Sequence, residues 1–151
     1  MQRNIAYKNF IDYLLWTVGY TVYLSFSTIY LLLPPLLSVL LILFHNGLKK
    51  NNSLLVLFLF FAMLIVEAQE GFLGFTLVIY FLIVHRFILP KIDQSFNLRV
   101  VRNFLYVVVS YIGYIFFSAL LSQIFLLSGI SINFYIVYYI AIEYILVSIF
   151  L

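Results

Sequence analysis

From Ile11 to Phe44 the chain is one apolar tract, and after Asp12 it carries no charge until Lys49. As a single helix the tract would run ~50 Å at 1.5 Å per residue, against a bilayer hydrocarbon core of ~30 Å. It must therefore fold back once. Ser25, Ser27 and Thr28, followed by Pro34 and Pro35, mark the reversal. Proline is tolerated in the first turn of a helix and disrupts its interior, so the pair is expected to open a second helix. This predicts helices over about 11–27 and 31–45.

The rest of the chain is just as apolar. Two thirds of its residues are hydrophobic and only 9% are charged, too little polar surface to cover a water-soluble core. Charges and turn residues divide it further. His45–Asn52 is expected as a polar loop, and Ser53 as the N-cap of a helix over about 53–67. Glu67–Gly71 is expected to reverse the chain into a helix over about 72–89, stopped by Pro90. Lys91–Arg102 is read as a mixed polar loop before a helix over about 103–127. Ser128 and Gly129 turn the chain into a last helix over about 130–151. The fold class expected is all-α: one polytopic domain over residues 1–151, with six transmembrane helices and no room for a soluble catalytic domain. The basic residues Arg3 and Lys8 precede an apolar run without a clear small-residue cleavage site, so this segment is read as an uncleaved first helix.

Orientation supports the count. With six spans and cytoplasmic termini, every Lys and Arg falls on the inner side: Arg3, Lys8, Lys49, Lys50, Arg86, Lys91, Arg99 and Arg102. Five spans would put Arg3 and Lys8 opposite the others, against the positive-inside rule. The same rule gives the basic composition an orienting role in place of nucleic-acid binding. Cysteine is absent, which excludes disulfides, thiolate metal sites and cysteine nucleophiles.

Two helices carry hydroxyl stripes, Thr17, Thr21 and Ser25 in the first and Tyr106, Ser110, Tyr114, Ser118 and Ser122 in the fifth. Four-residue spacing keeps each stripe on one face. Such stripes line a polar path or, more simply, pack helices together in lipid. Glu143 is different, an acid amid Ile140, Ala141, Ile142, Tyr144, Ile145 and Leu146. An intramembrane carboxyl needs a partner. Counted at 1.5 Å per residue, Glu143 and the pair His85–Arg86 both lie roughly 20 Å below the outer ends of their helices. Glu143 is therefore expected to face inward and pair with Arg86, or failing that with His85 or a tyrosine hydroxyl. No metal-hydrolase or nucleophile-elbow motif occurs, so neither an enzyme nor a cofactor is expected.

Two stretches resemble the MreD family, integral membrane subunits of the bacterial rod-shape machinery. Pro34-Pro35-Leu36-Leu37-Ser38-Val39-Leu40-Leu41-Ile42-Leu43-Phe44 is similar to the family's proline followed by a Leu-rich helix. Glu67-Ala68-Gln69-Glu70-Gly71-Phe72-Leu73-Gly74 is similar to its acidic residue with a glycine four on and a second glycine later. The chain departs from the family in Pro35, in Glu67 where Asp is commoner, and in lacking a basic tail after Leu151. The resemblance implies a fold similar to the substrate-binding subunits of energy-coupling-factor transporters, and an inner-membrane location. It also implies a non-catalytic scaffold that binds MreC and helps couple MreB filaments to the peptidoglycan synthases of elongation. Pro34, Pro35, Glu67, Gly71 and Gly74 would be the family positions, beside Arg86 and Glu143. The alternative from another class is a substrate-binding subunit of a vitamin-type transporter, with an outward cavity lined by Glu67, Gln69, Glu70, Gln123 and Asn133. A membrane-embedded enzyme resting on Glu143 ranks third.

Overall fold

The computed structural model describes residues 2–70, 74–125 and 134–150, with side chains for 10–69, 74–125 and 134–149. All secondary structure among the described residues is helical, in six helices. These are α1 (Gln2–Ile29), α2 (Leu37–Lys49), α3 (Ser53–Glu70), α4 (residues 76–95), α5 (Arg99–Phe125) and α6 (Tyr135–Phe150). Of these, α5 is long and apolar enough to cross a membrane, and α2, α3 and α6 are shorter apolar helices.

The first reversal lies where the apolar tract required it, but the prolines do not open α2. Each proline disfavours helical backbone in the residue before it, so the chain stays irregular from Tyr30 to Leu36 and α2 starts only at Leu37. Irregular backbone in apolar surroundings needs partners for its carbonyls. Three residues of α1 supply them. Ser27 Oγ donates to the Leu33 carbonyl, Tyr23 Oη to Pro34 and Tyr20 Oη to Pro35, each at 2.7 Å. The anticipated stripe of Thr17, Thr21 and Ser25 instead turns back on its own helix, bonding the carbonyls of Tyr13, Thr17 and Thr21.

The polar run after Phe44 is mostly helix. His45 to Lys49 complete α2, whose exit is a three-residue turn with Asn51 left-handed at φ 51°. Asn52, not Ser53, caps α3: its Oδ1 accepts from the Leu55 N–H at 3.3 Å, and its amide donates to Tyr13 Oη at 2.8 Å. Gly47 lets α2 lie close on α3, since a Cβ there would sit 2.7 Å from Leu55 Cδ2.

Pro90 does not stop α4. A π-helical segment, Val84–Ile88, precedes it, and the Leu89 N–H reaches back to the Val84 carbonyl. The wider turn accommodates the proline just downstream, and the helix continues to Ser95. A second π segment, Val109–Gly113, interrupts α5. The Val109 carbonyl, at the start of this segment, accepts from Tyr80 Oη of α4 at 2.5 Å. Gly113 leaves room for that tyrosine, because a Cβ at this position would fall on the Tyr80 hydroxyl. The expected loop at 91–102 thus shrinks to Phe96–Leu98. The expected turn at Ser128–Gly129 lies outside the described residues.

At the centre is α2, in contact with α3, α5 and α6. Leu40 and Leu41 are wholly buried, with Met63, Leu77, Phe81, Val107 and Val147 from the surrounding helices. The outer faces are apolar as well, as Leu15, Val18 and Val22 on α1 and Phe116 and Ile124 on α5 show.

Candidate functional site: two capping glutamates and a histidine–aspartate cluster

Both α2 and α4 begin abruptly, from left-handed residues: Leu36 at φ 57° and Phe75 at φ 74°. Neither residue has a side chain that caps. The first N–H groups of a helix have no partner within it, and in an apolar interior each unsatisfied one is costly. A buried glutamate solves the problem at both places. Glu143 of α6 is fully buried and accepts from the Ser38 N–H at 2.8 Å, the Ser38 hydroxyl and the Tyr111 hydroxyl. Glu67 of α3 is 1% exposed and accepts from the Phe75 N–H at 2.5 Å, the Thr76 hydroxyl at 3.1 Å and the Leu77 N–H. A left-handed residue, a hydroxyl in the first turn and a carboxyl from another helix recur in both.

Several expectations change here. Glu143 does face inward, but it does not pair with Arg86. Arg86 is exposed on the π segment of α4, and a tyrosine hydroxyl and the α2 terminus take the carboxyl. Glu67 is not a turn residue: α3 runs through it to Glu70, and it points into the bundle. Its oxygens are engaged by α4, which removes it from the outward cavity of the transporter reading. Gly74 makes no close approach, since a Cβ there would meet nothing within 4 Å. The left-handed conformation falls on Phe75 instead. Gly71 lies outside the described residues. Pro34 and Pro35 act through their carbonyls, as acceptors for α1.

A second polar cluster sits at the other end of α2 and α4. His45 Nδ1 lies 2.9 Å from His85 Nδ1, so one ring must donate and the other accept. Asp93, on the last turns of α4, gathers four groups. The Tyr106 hydroxyl donates to Oδ1, Arg102 Nε is 3.9 Å from the same oxygen, and Lys49 Nζ and His45 Nε2 are each 3.5 Å from Oδ2. Burial pushes the Asp93 carboxyl up, but the Tyr106 hydroxyl, Lys49 and His45 outweigh it and hold it below its ordinary value. Among the described residues, no three His, Asp or Glu side chains converge to hold a metal ion.

The sequence reading placed His45 and Asp93 in loops and so did not foresee this cluster. Nor did it foresee Ser38 and Tyr111. In the α5 stripe Tyr106 bonds Asp93 of α4 and the Tyr114 ring packs on Tyr80 of α4, with centroids 5.8 Å apart, whereas Ser110, Ser118 and Ser122 bond carbonyls of their own helix. Tyr111 lies off that stripe, within the π segment, and it is Tyr111 that meets Glu143.

No family model matches the chain, and no curated protein or solved structure matches it either.

Proposed function

We propose that this chain is a polytopic protein of the bacterial inner membrane, with six spans and cytoplasmic termini. Within that membrane it acts as a non-catalytic scaffold of the cell-elongation complex, resembling MreD. The carrying observation is what the buried acids do. Glu67 and Glu143, the buried carboxylates among the described residues, are both engaged in holding helix ends. That leaves the surface as the working part. It is apolar on α1, α5 and α6, where Leu15, Phe116 and Val137 are 62%, 67% and 72% exposed, and suited to lipid and to the single transmembrane helix of an MreC-like partner.

The charge asymmetry and the satisfied carbonyls of residues 33–35 support membrane embedding. The positions carrying the family resemblance support the scaffold role: Glu67 locks the α3–α4 hairpin, and Pro34 and Pro35 anchor α1 to the start of α2. Through its partner the scaffold would connect MreB filaments to the elongation peptidoglycan synthases. Affinity purification of the tagged chain from its own cells tests this. A single-span protein with a periplasmic domain is expected to co-purify at near-stoichiometric yield, and its absence overturns the scaffold reading. Depletion should round the cells; unchanged shape favours the transporter alternative.

A further inference from the structure

Two open cavities of about 380 and 420 Å³ adjoin at the basic end of the bundle and share His45, Lys49 and Asp93 as walls. The first adds Arg102, Asn46 and Asn103, and the second adds His85, Arg86 and Gln94. Three cations thus face one carboxylate. Asp93 is already engaged on both oxygens, by Tyr106 and Arg102 on one and by Lys49 and His45 on the other. Lys49 is 67% exposed in its side chain and keeps further N–H donors, while Arg86 is exposed beside its cavity. His45 supplies a second pointer: its Nε2 is buried in the shared wall, and Asp93 stands 3.5 Å from it, longer than a good hydrogen bond. A buried ring nitrogen of this kind is normally met by water or by a ligand.

We infer that these joined cavities form a binding site for the phosphate group of an anionic phospholipid, with Lys49, Arg86 and Arg102 as its cationic donors. Basic pockets between helices on the cytoplasmic side suit such head groups. Phe87, next to Arg86, is 64% exposed and Ile83, one turn earlier, is 40% exposed. They offer acyl chains an apolar surface beside the cavity, which free phosphate would not use. The inference rests on membrane embedding but not on the scaffold role, and the co-purification experiment is independent of it.

The test is thermal unfolding of the full chain in a neutral detergent, titrated separately with phosphatidylglycerol, phosphatidylcholine and inorganic phosphate. Phosphatidylglycerol should raise the unfolding temperature saturably, while the other two do little. The double variant K49Q/R86Q should need roughly tenfold or more phosphatidylglycerol for the same shift, the scale expected for two cations near a phosphate surface, with unchanged circular dichroism. The control K50Q/K91Q removes two exposed cations outside the cavities and should behave as the parent. Equal effects of the two lipids overturn the proposal, as does an equal loss in the control, which would mean diffuse surface charge. Saturation by inorganic phosphate at the same concentration overturns the lipid assignment in favour of a soluble phosphate.

Discussion

The Ser38 amide donates to the Glu143 carboxyl at 2.8 Å, joining the first turn of α2 to the middle of α6. The Ser38 and Tyr111 hydroxyls donate to the same carboxyl. Replacing Glu143 with Ala strands these donors in a fully buried site, at about 1–3 kcal/mol for each group left unsatisfied. E143Q keeps one acceptor oxygen and should lose clearly less. Denaturation of both variants in detergent checks the order; equal losses would mean that only side-chain volume matters there.

Glu67 acts on a shorter loop of chain. E67A should cost about 1–2 kcal/mol, the range of a lost helix cap, and its effect should be local. Hydrogen exchange should accelerate at the Phe75 and Leu77 amides, which Glu67 accepts, while the amides in the middle of α5 stay protected. Uniform acceleration along the chain would contradict a capping role.

Gly113 and Tyr80 form a coupled pair. G113A should destabilise by about 1–3 kcal/mol, the usual cost of overpacking, because its methyl group takes the place of the Tyr80 hydroxyl. Y80F alone should cost about 1 kcal/mol for the lost bond to the Val109 carbonyl. In the double variant the clash is relieved, so Y80F should be neutral or stabilising in the G113A background. Simple additivity in this cycle would rule out the contact.

Asp93 gives a pH dependence of known sign. Its carboxyl is held below the ordinary 3.8, so its ionised form contributes stability that is complete above that value. The contribution fades as pH falls through the lower value of the folded state. D93N should therefore be less stable than the parent near neutrality, and the gap should close as the pH drops below 3.8. Unfolding temperatures across that range give the comparison, and a constant gap would assign the loss to packing.

The sequence supported the helical class, the fold-back of the first tract and the inward position of Glu143, because apolar run length and an isolated acid report directly on these. What it hid were the helix ends. His45 to Lys49 looked like loop because polarity was read as exposure, yet they form the last turn of a buried helix. Pro90 looked like a terminator because nothing in the residues around it announces a π turn. Partner choice was hidden for the same reason. Tyr111 sits inside the wider turn of the second π segment, off the stripe that Tyr106, Ser110 and Tyr114 marked, and it is Tyr111 that meets Glu143. Arg86 was matched to Glu143 by depth alone, and equal depth says nothing about azimuth around the bundle.

The two glutamate caps differ in when they can form. Glu67 precedes Phe75 by only eight residues, so the α3–α4 hairpin completes its own cap as soon as it is synthesised. The start of α2 depends on Glu143, 105 residues after Ser38. During biosynthesis the central helix therefore keeps an open polar terminus until the last helix arrives, and a chain truncated before α6 never closes it.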